Sequence, residues 1–129
     1  MAVKRYNPEG VAKPVAYYSH VAEAPAGSKV VALAGQVGNR LDGSFPESME
    51  EQLEVALENV LTLASAAGKG EADVLKIIAF VVDPPTDGPR VAGAFAKAFP
   101  SGYPPLTWIY VKALFRPHVK VELDVTLAV

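Results

Sequence analysis

The sequence contains no cysteine. That absence excludes disulfides, thiol nucleophiles and cysteine-ligated zinc together. Histidine is scarce: His20 and His118 are the only two, and neither stands beside an acidic partner in a recognisable metal motif. Lys and Arg form no cluster, and the net charge of −2 with a pI near 5.6 argues against a phosphate-rich partner. Nucleic-acid binding is therefore not expected. No apolar run approaches membrane-spanning length, and the opening MAVKRYNPEG lacks the apolar core of a signal peptide. A cytoplasmic protein without a membrane partner is the simplest expectation. The serines lack a Gly-x-Ser-x-Gly elbow, and GKGEAD at 68–73 is too short and wrongly flanked for a phosphate loop. No cofactor is implied.

What is present is mostly apolar. Hydrophobic residues fill 50% of the 129 positions and charged residues only 20%. The length suits one domain, residues 1–129, with a proper core. The apolar surplus points to buried surface beyond one chain's core, such as a subunit interface, with alanine richness as a second contributor.

Residues 1–14 are polar and Pro-interrupted, and read as an extended arm leading into a short strand near Val15–Val21. PAGSK marks a turn, and KVVALAGQV (29–37) predicts a buried strand. After a turn at Asp42-Gly43, Met49, Leu53, Leu57, Val60, Leu61 and Ala64 recur at helical steps, with Glu50, Glu51, Glu54 and Glu58 on faces turned to water. Ser44 followed by Glu47 fits a capping box, Pro46 suits the first turn, and Gly68 is a natural stop. DVLKIIAFVV (73–82) is a second buried strand. Pro89 opens a shorter helix with Val91, Phe95, Ala98 and Phe99 on one face. LTWIYVKAL (106–114) is a third long strand, FRPH turns, and a last strand follows. This order, β-β-α-β-α-β-β, predicts an α+β fold with helices on one face of a mixed sheet.

The last strand, VKVELDVTLAV (119–129), alternates strictly. Val119, Val121, Leu123, Val125, Leu127 and Val129 suit a helix-covered face. Lys120, Glu122, Asp124 and Thr126 then lie on the uncovered one. There Glu122 is either a solvated or lysine-paired carboxylate, or part of a cleft between subunits. Alternation leaves both open.

Seven pieces in order resemble the reactive-intermediate deaminase family (RidA/YjgF), also described as endoribonuclease L-PSP. YSHV (18–21) is similar to its Tyr-Ser-His/Gln segment, VVALAGQVG to its Ser-Gly-Gln strand, and LDG to the turn that follows. EEQLEVALENVLTLASAAG resembles its Gln-x-x-x-Ala-Leu-x-Asn-Leu helix, and DVLKIIAFVVD its Asp-Val-x-Lys strand. YPPLTWIYVKAL resembles its Pro-Ala-Arg-Thr strand, and VKVELDVTLAV its closing Val-Glu-Ile-Glu strand. The resemblance implies a chorismate-mutase-like fold: a six-stranded sheet backed by two helices, forming a homotrimer with small-molecule clefts between subunits. For deaminating members it implies hydrolysis of enamines and imines to 2-keto acids and ammonia.

Carried over position by position, the resemblance makes Glu122 the water-handling catalytic residue. Gly35, preceded by Ala34, borders the ligand, and Tyr18 is the aromatic at the cleft edge. The carboxylate-binding arginine falls at Leu106, and an asparagine of the second helix at Ala92. Leu106 cannot fork onto a carboxylate. Trp108 shares a strand face with Leu106, so a pocket lined by both suits an uncharged, flat or apolar ligand. Arg116 or a neighbouring subunit could supply another cation. A hydrolase or deaminase with altered substrate range is the first reading. The alternative is a non-catalytic, ligand-binding or stress-protective protein; an endoribonuclease is disfavoured by the acidic balance.

Overall fold

Residues 2–129 are described by a computed structural model. The elements are β1 (Lys4–Tyr6), β2 (Val21–Glu23), β3 (Val30–Ala32), β4 (Gln36–Val37), α1 (Met49–Ala66), β5 (Val74–Val81), α2 (Gly88–Ala98), β6 (Leu106–Tyr110) and β7 (Val121–Ala128). A single 3-10 turn, Glu71–Asp73, precedes β5.

The main sheet runs β3-β7-β5-β6, and β4 also pairs with β7. The β5–β6 pair is parallel and the pairs made by β7 are antiparallel, so the sheet is mixed. Residues opposite one another in a ladder share a face. Val121, Leu123 and Val125 lie opposite Val81, Ala79 and Ile77, and all six are fully buried. They pack with Leu53, Leu57 and Val60 of α1 and Val91 and Phe95 of α2 in one core. Each large apolar side chain contributes roughly 1.5–3 kcal/mol on burial. The other face presents Glu122 beside Phe80, Asp124 beside Ile78, and Thr126 beside Lys76. No helix covers it.

The α+β class with two helices and a mixed sheet is the expected one, but the sheet differs from six strands. Five strands form the main sheet, and β1–β2 is a separate antiparallel pair. Arg5 of β1 ties that pair to the turn before β5 and to the loop before β6. Its guanidinium donates to Glu71 O (2.6 Å), Val74 O (3.0 Å) and Gly102 O, and lies 3.7 Å from the Glu71 carboxylate.

Local corrections follow the same logic. Residues 15–20 form bends rather than a strand, because side chains take over the backbone groups there. Val15 N–H donates to the Tyr18 hydroxyl (3.3 Å), and His20 N–H donates to Asn7 Oδ1 (2.7 Å). Residues 29–37 split into β3 and β4, whose register on β7 slips by one residue between Ala32 and Gln36. That slip is a β-bulge, and β3 lies at the sheet edge rather than buried, with Val30 69% exposed. The α1 cap is Ser48, whose hydroxyl accepts from Glu51 N–H (3.1 Å). Ser44 instead closes a turn onto Asp42, and Pro46 precedes the helix. Glu50 is buried, not solvated; its carboxylate accepts from Thr86 N–H (3.1 Å). Strand β6 stops at Tyr110 because its partner β5 ends at Val81.

Gly68 does end α1. With φ at 74°, it lets Lys69 N–H donate to Ala64 O (2.9 Å) and its own N–H donate to Ser65 O (2.9 Å), a Schellman closure.

Candidate functional site

The strict alternation of β7 puts Glu122 on the open face, and the bulge between β3 and β4 brings Gly35 over it. A Cβ built on Gly35 would overlap the Glu122 carboxylate. Glycine is therefore required for the close approach, although its backbone is not left-handed. The Glu122 side chain is half-buried between Gly35 and Phe80, and forms no ion pair among the described residues. A carboxylate held against backbone, with its oxygens uncommitted to a cation, is equipped to orient a water molecule. Ala34, next to it, is exposed, and its carbonyl accepts from Gln36 Nε2 (2.9 Å).

Leu106 and Trp108 lie elsewhere. They stand opposite Ile77 and Ala79 in the β5–β6 ladder, on the helix-covered side, and pack against the core. Both are half-buried, because β6 is an edge strand that the helices only partly cover. One chain thus brings Gly35 and Glu122 together on one face and Leu106 and Trp108 together on the other.

Trp108 meets two aromatics, Phe95 edge-on at 6.4 Å and Tyr17. The Tyr17 ring stacks on Phe95 at 4.7 Å and meets Trp108 edge-on at 6.5 Å. Burial pushes the Tyr17 phenol above its ordinary range, with Tyr110 adding to the effect. Tyr18 faces the loop instead, edge-on to His20 at 5.5 Å. His20 Nε2 lies 2.7 Å from Ala12 O and His118 stacks edge-on with Phe45 at 4.7 Å, so both histidines have local partners. Arg116 lies over the Phe115 ring at 5.6 Å in the loop before β7. No group of three or more potential metal ligands occurs among the described residues.

Tyr17, beside Tyr18, and Gln52, a buried amide on the apolar stripe of α1, were not singled out from the sequence. The signal for Gln52 was a polar residue between Met49 and Leu53, where periodicity expects core. Among concavities, a groove of about 410 Å³ runs between α1 and α2, lined by Leu57, Leu61, Ala94 and the Glu54–Arg90 pair. It touches neither Gly35 nor Glu122.

The comparisons agree with this architecture. The family model described as endoribonuclease L-PSP matches residues 10–129. The chain belongs to the RidA/YjgF (L-PSP) family. A protein of unknown function of the conserved Rid family, YyfB from Yersinia pestis, is 26% identical over all of both chains, with a TM-score of 0.81. RidA from the Antarctic bacterium Psychrobacter sp. shares the fold at 22% identity, covering 98% of this chain and 99% of its own, with a TM-score of 0.71. Escherichia coli TdcF with bound serine does so at 24% identity and a TM-score of 0.69, covering 98% and 97%. Among curated proteins there is no sequence match. No helix among the described residues is long and apolar enough to cross a membrane.

Proposed function

We propose that this RidA-family chain is a hydrolase of imines, enamines or related reactive metabolites, acting in a cleft between subunits of a homotrimer. The observation that carries the reading is the Glu122 carboxylate laid against Gly35 on the uncovered sheet face. Glu122 orients a water and takes its proton as the oxygen adds to the imine carbon. The proton then passes to the nitrogen to give a carbinolamine; the hydroxyl yields its own proton to that nitrogen by way of Glu122, the C–N bond breaks as the C=O forms, and ammonia leaves a carbonyl product. Water adds at no net redox cost, so no cofactor is needed.

A site using both Glu122 and Leu106/Trp108 takes them from two copies, since they lie on opposite faces of one sheet. Leu106 gives that site no fork for a carboxylate, and Trp108 beside it favours flat, uncharged ligands. Tyr18 borders the same cleft. The bound serine of TdcF supports a small-molecule ligand in a protein of this fold. A second reading, ligand binding without chemistry, follows from the same lack of a carboxylate fork at Leu106.

The test is hydrolysis of freshly generated 2-iminopropionate by the native protein, Glu122→Ala and Leu106→Arg. Native activity abolished in Glu122→Ala supports the hydrolase, with a carboxylate anchor supplied elsewhere. Activity only in Leu106→Arg supports an intact water-handling site tuned to another substrate. Silence in all three overturns the hydrolase in favour of binding.

A further inference from the structure

We propose that Gln52 is the positioning residue that holds Glu122 over Gly35; the inference rests on the site described above. Gln52 is 1% exposed, in the first turns of α1. Its Nε2 donates to Pro46 O (2.9 Å) and to His118 O (2.8 Å), and its Oε1 accepts from Lys120 N–H (2.8 Å). Three bonds use most of what one amide can make, and two of them grip the segment that enters β7 just before Glu122.

The backbone of the same residue grips the other half of the pair. A Cβ on Gly38 would stand 2.5 Å from Gln52 Cα and from Gln52 O, so the exit of β4 rests directly on this turn of the helix. Two turns along, Asn59 Nδ2 donates to Val37 O (3.1 Å) and Asn39 O (3.0 Å), fastening the same exit.

The clamp matters because strand pairing alone holds this region weakly. β4 meets β7 through only Gln36↔Leu123 and Val37↔Glu122, just past the bulge. Short ladders beside a bulge specify register poorly. Gln52 connects both segments to one rigid helix and so fixes the approach of Gly35 to Glu122. An apolar side chain of the same length would fill the space while leaving Lys120 N–H, Pro46 O and His118 O without their partner.

The test reads the pair directly, in the full-length protein labelled with ¹⁵N. In the otherwise native protein Glu122→Gln should shift the Gly35 amide resonance, because the carboxylate lies against Gly35. In a Gln52→Met background the same Glu122→Gln change should shift Gly35 by about half as much or less, with core amides such as Val125 unmoved. An undiminished shift at Gly35 in the Gln52→Met background would overturn the proposal. Should that variant fail to fold, native-state hydrogen exchange decides. Lys120 N–H, bonded to a buried amide, should exchange on the order of 1,000-fold slower than an unprotected amide. Exchange at the unprotected rate would overturn the clamp. If the native protein hydrolyses imines, Gln52→Met should lower kcat about 10-fold with KM little changed, as misplacement of a working group does. The NMR and exchange measurements require no turnover, so failure of the hydrolase reading remains distinguishable from failure of the positioning role.

Discussion

The two glycines that flank β4 have different neighbours, and the difference is measurable. At Gly35 an added methyl meets the far end of the Glu122 side chain, which can swing away. At Gly38 it meets helix backbone, which cannot. Gly35→Ala should therefore cost about 1–2 kcal/mol in a urea unfolding experiment, and Gly38→Ala more, about 3 kcal/mol. The reverse order would mean that Glu122 is not held where it is described. Glu122 itself was legible in the sequence, because a period of two admits only two faces. Its contact with Gly35 was not, since a bulge shifts register without a compositional mark. Leu106 and Trp108 were correctly placed on one face by alternation. Alternation cannot say which face of a neighbouring strand that is, and the parallel β5–β6 register puts them away from Glu122 within one chain.

At the scale of elements, the arm and the helix pair offer contrasting electrostatics. Arg5 has a side chain 7% exposed, bonded to three carbonyls, with its guanidinium over the Phe99 ring at 5.8 Å. Burial draws its guanidinium pKa down, while Glu71 opposes that shift. Arg5→Met should destabilise by about 2–4 kcal/mol, because it leaves buried acceptors unpaired. Arg5→Lys should recover little, since an ammonium cannot span the fork, and urea midpoints would check both. The exposed pair between α1 and α2 is different. Arg90 donates to both Glu54 oxygens (3.0 and 2.8 Å) and holds that carboxyl below its ordinary range. A depressed carboxylate adds stability above its unfolded pKa of about 4.3, and that stability is lost as pH falls through the lower folded value. Solvent and salt screen so exposed a pair, so its contribution is small. The native protein should exceed Arg90→Ala slightly in stability at neutral pH and low salt. The gap should close on acidification; a gap that widens at low pH would contradict the pairing. Helix α1 and strands β5 and β7 were legible from periodicity because tertiary packing and local pattern agree there. The separate β1–β2 pair was not; it is tied to the rest of the fold by Arg5 bonds to carbonyls far along the chain, a long-range arrangement with no local pattern.

For the whole molecule, the decisive feature is a sheet covered by helices on one side only. Phe80, Ile78 and Ile109 lie on the open side together with Glu122, and Ile109 remains 39% exposed. An apolar strip carrying a half-buried carboxylate is poorly suited to water and well suited to a second copy of the chain. The composition already hinted at this through its apolar surplus, but it could not say which face was bare. Glu122, Tyr18, Leu106 and Trp108 can form one site only with that second copy. The measurement that tests it most directly is sedimentation equilibrium of the native protein at micromolar concentration. The account predicts a single species of about three times the 13.6 kDa chain mass. A stable monomer would contradict it and leave Glu122 as a carboxylate on an open sheet.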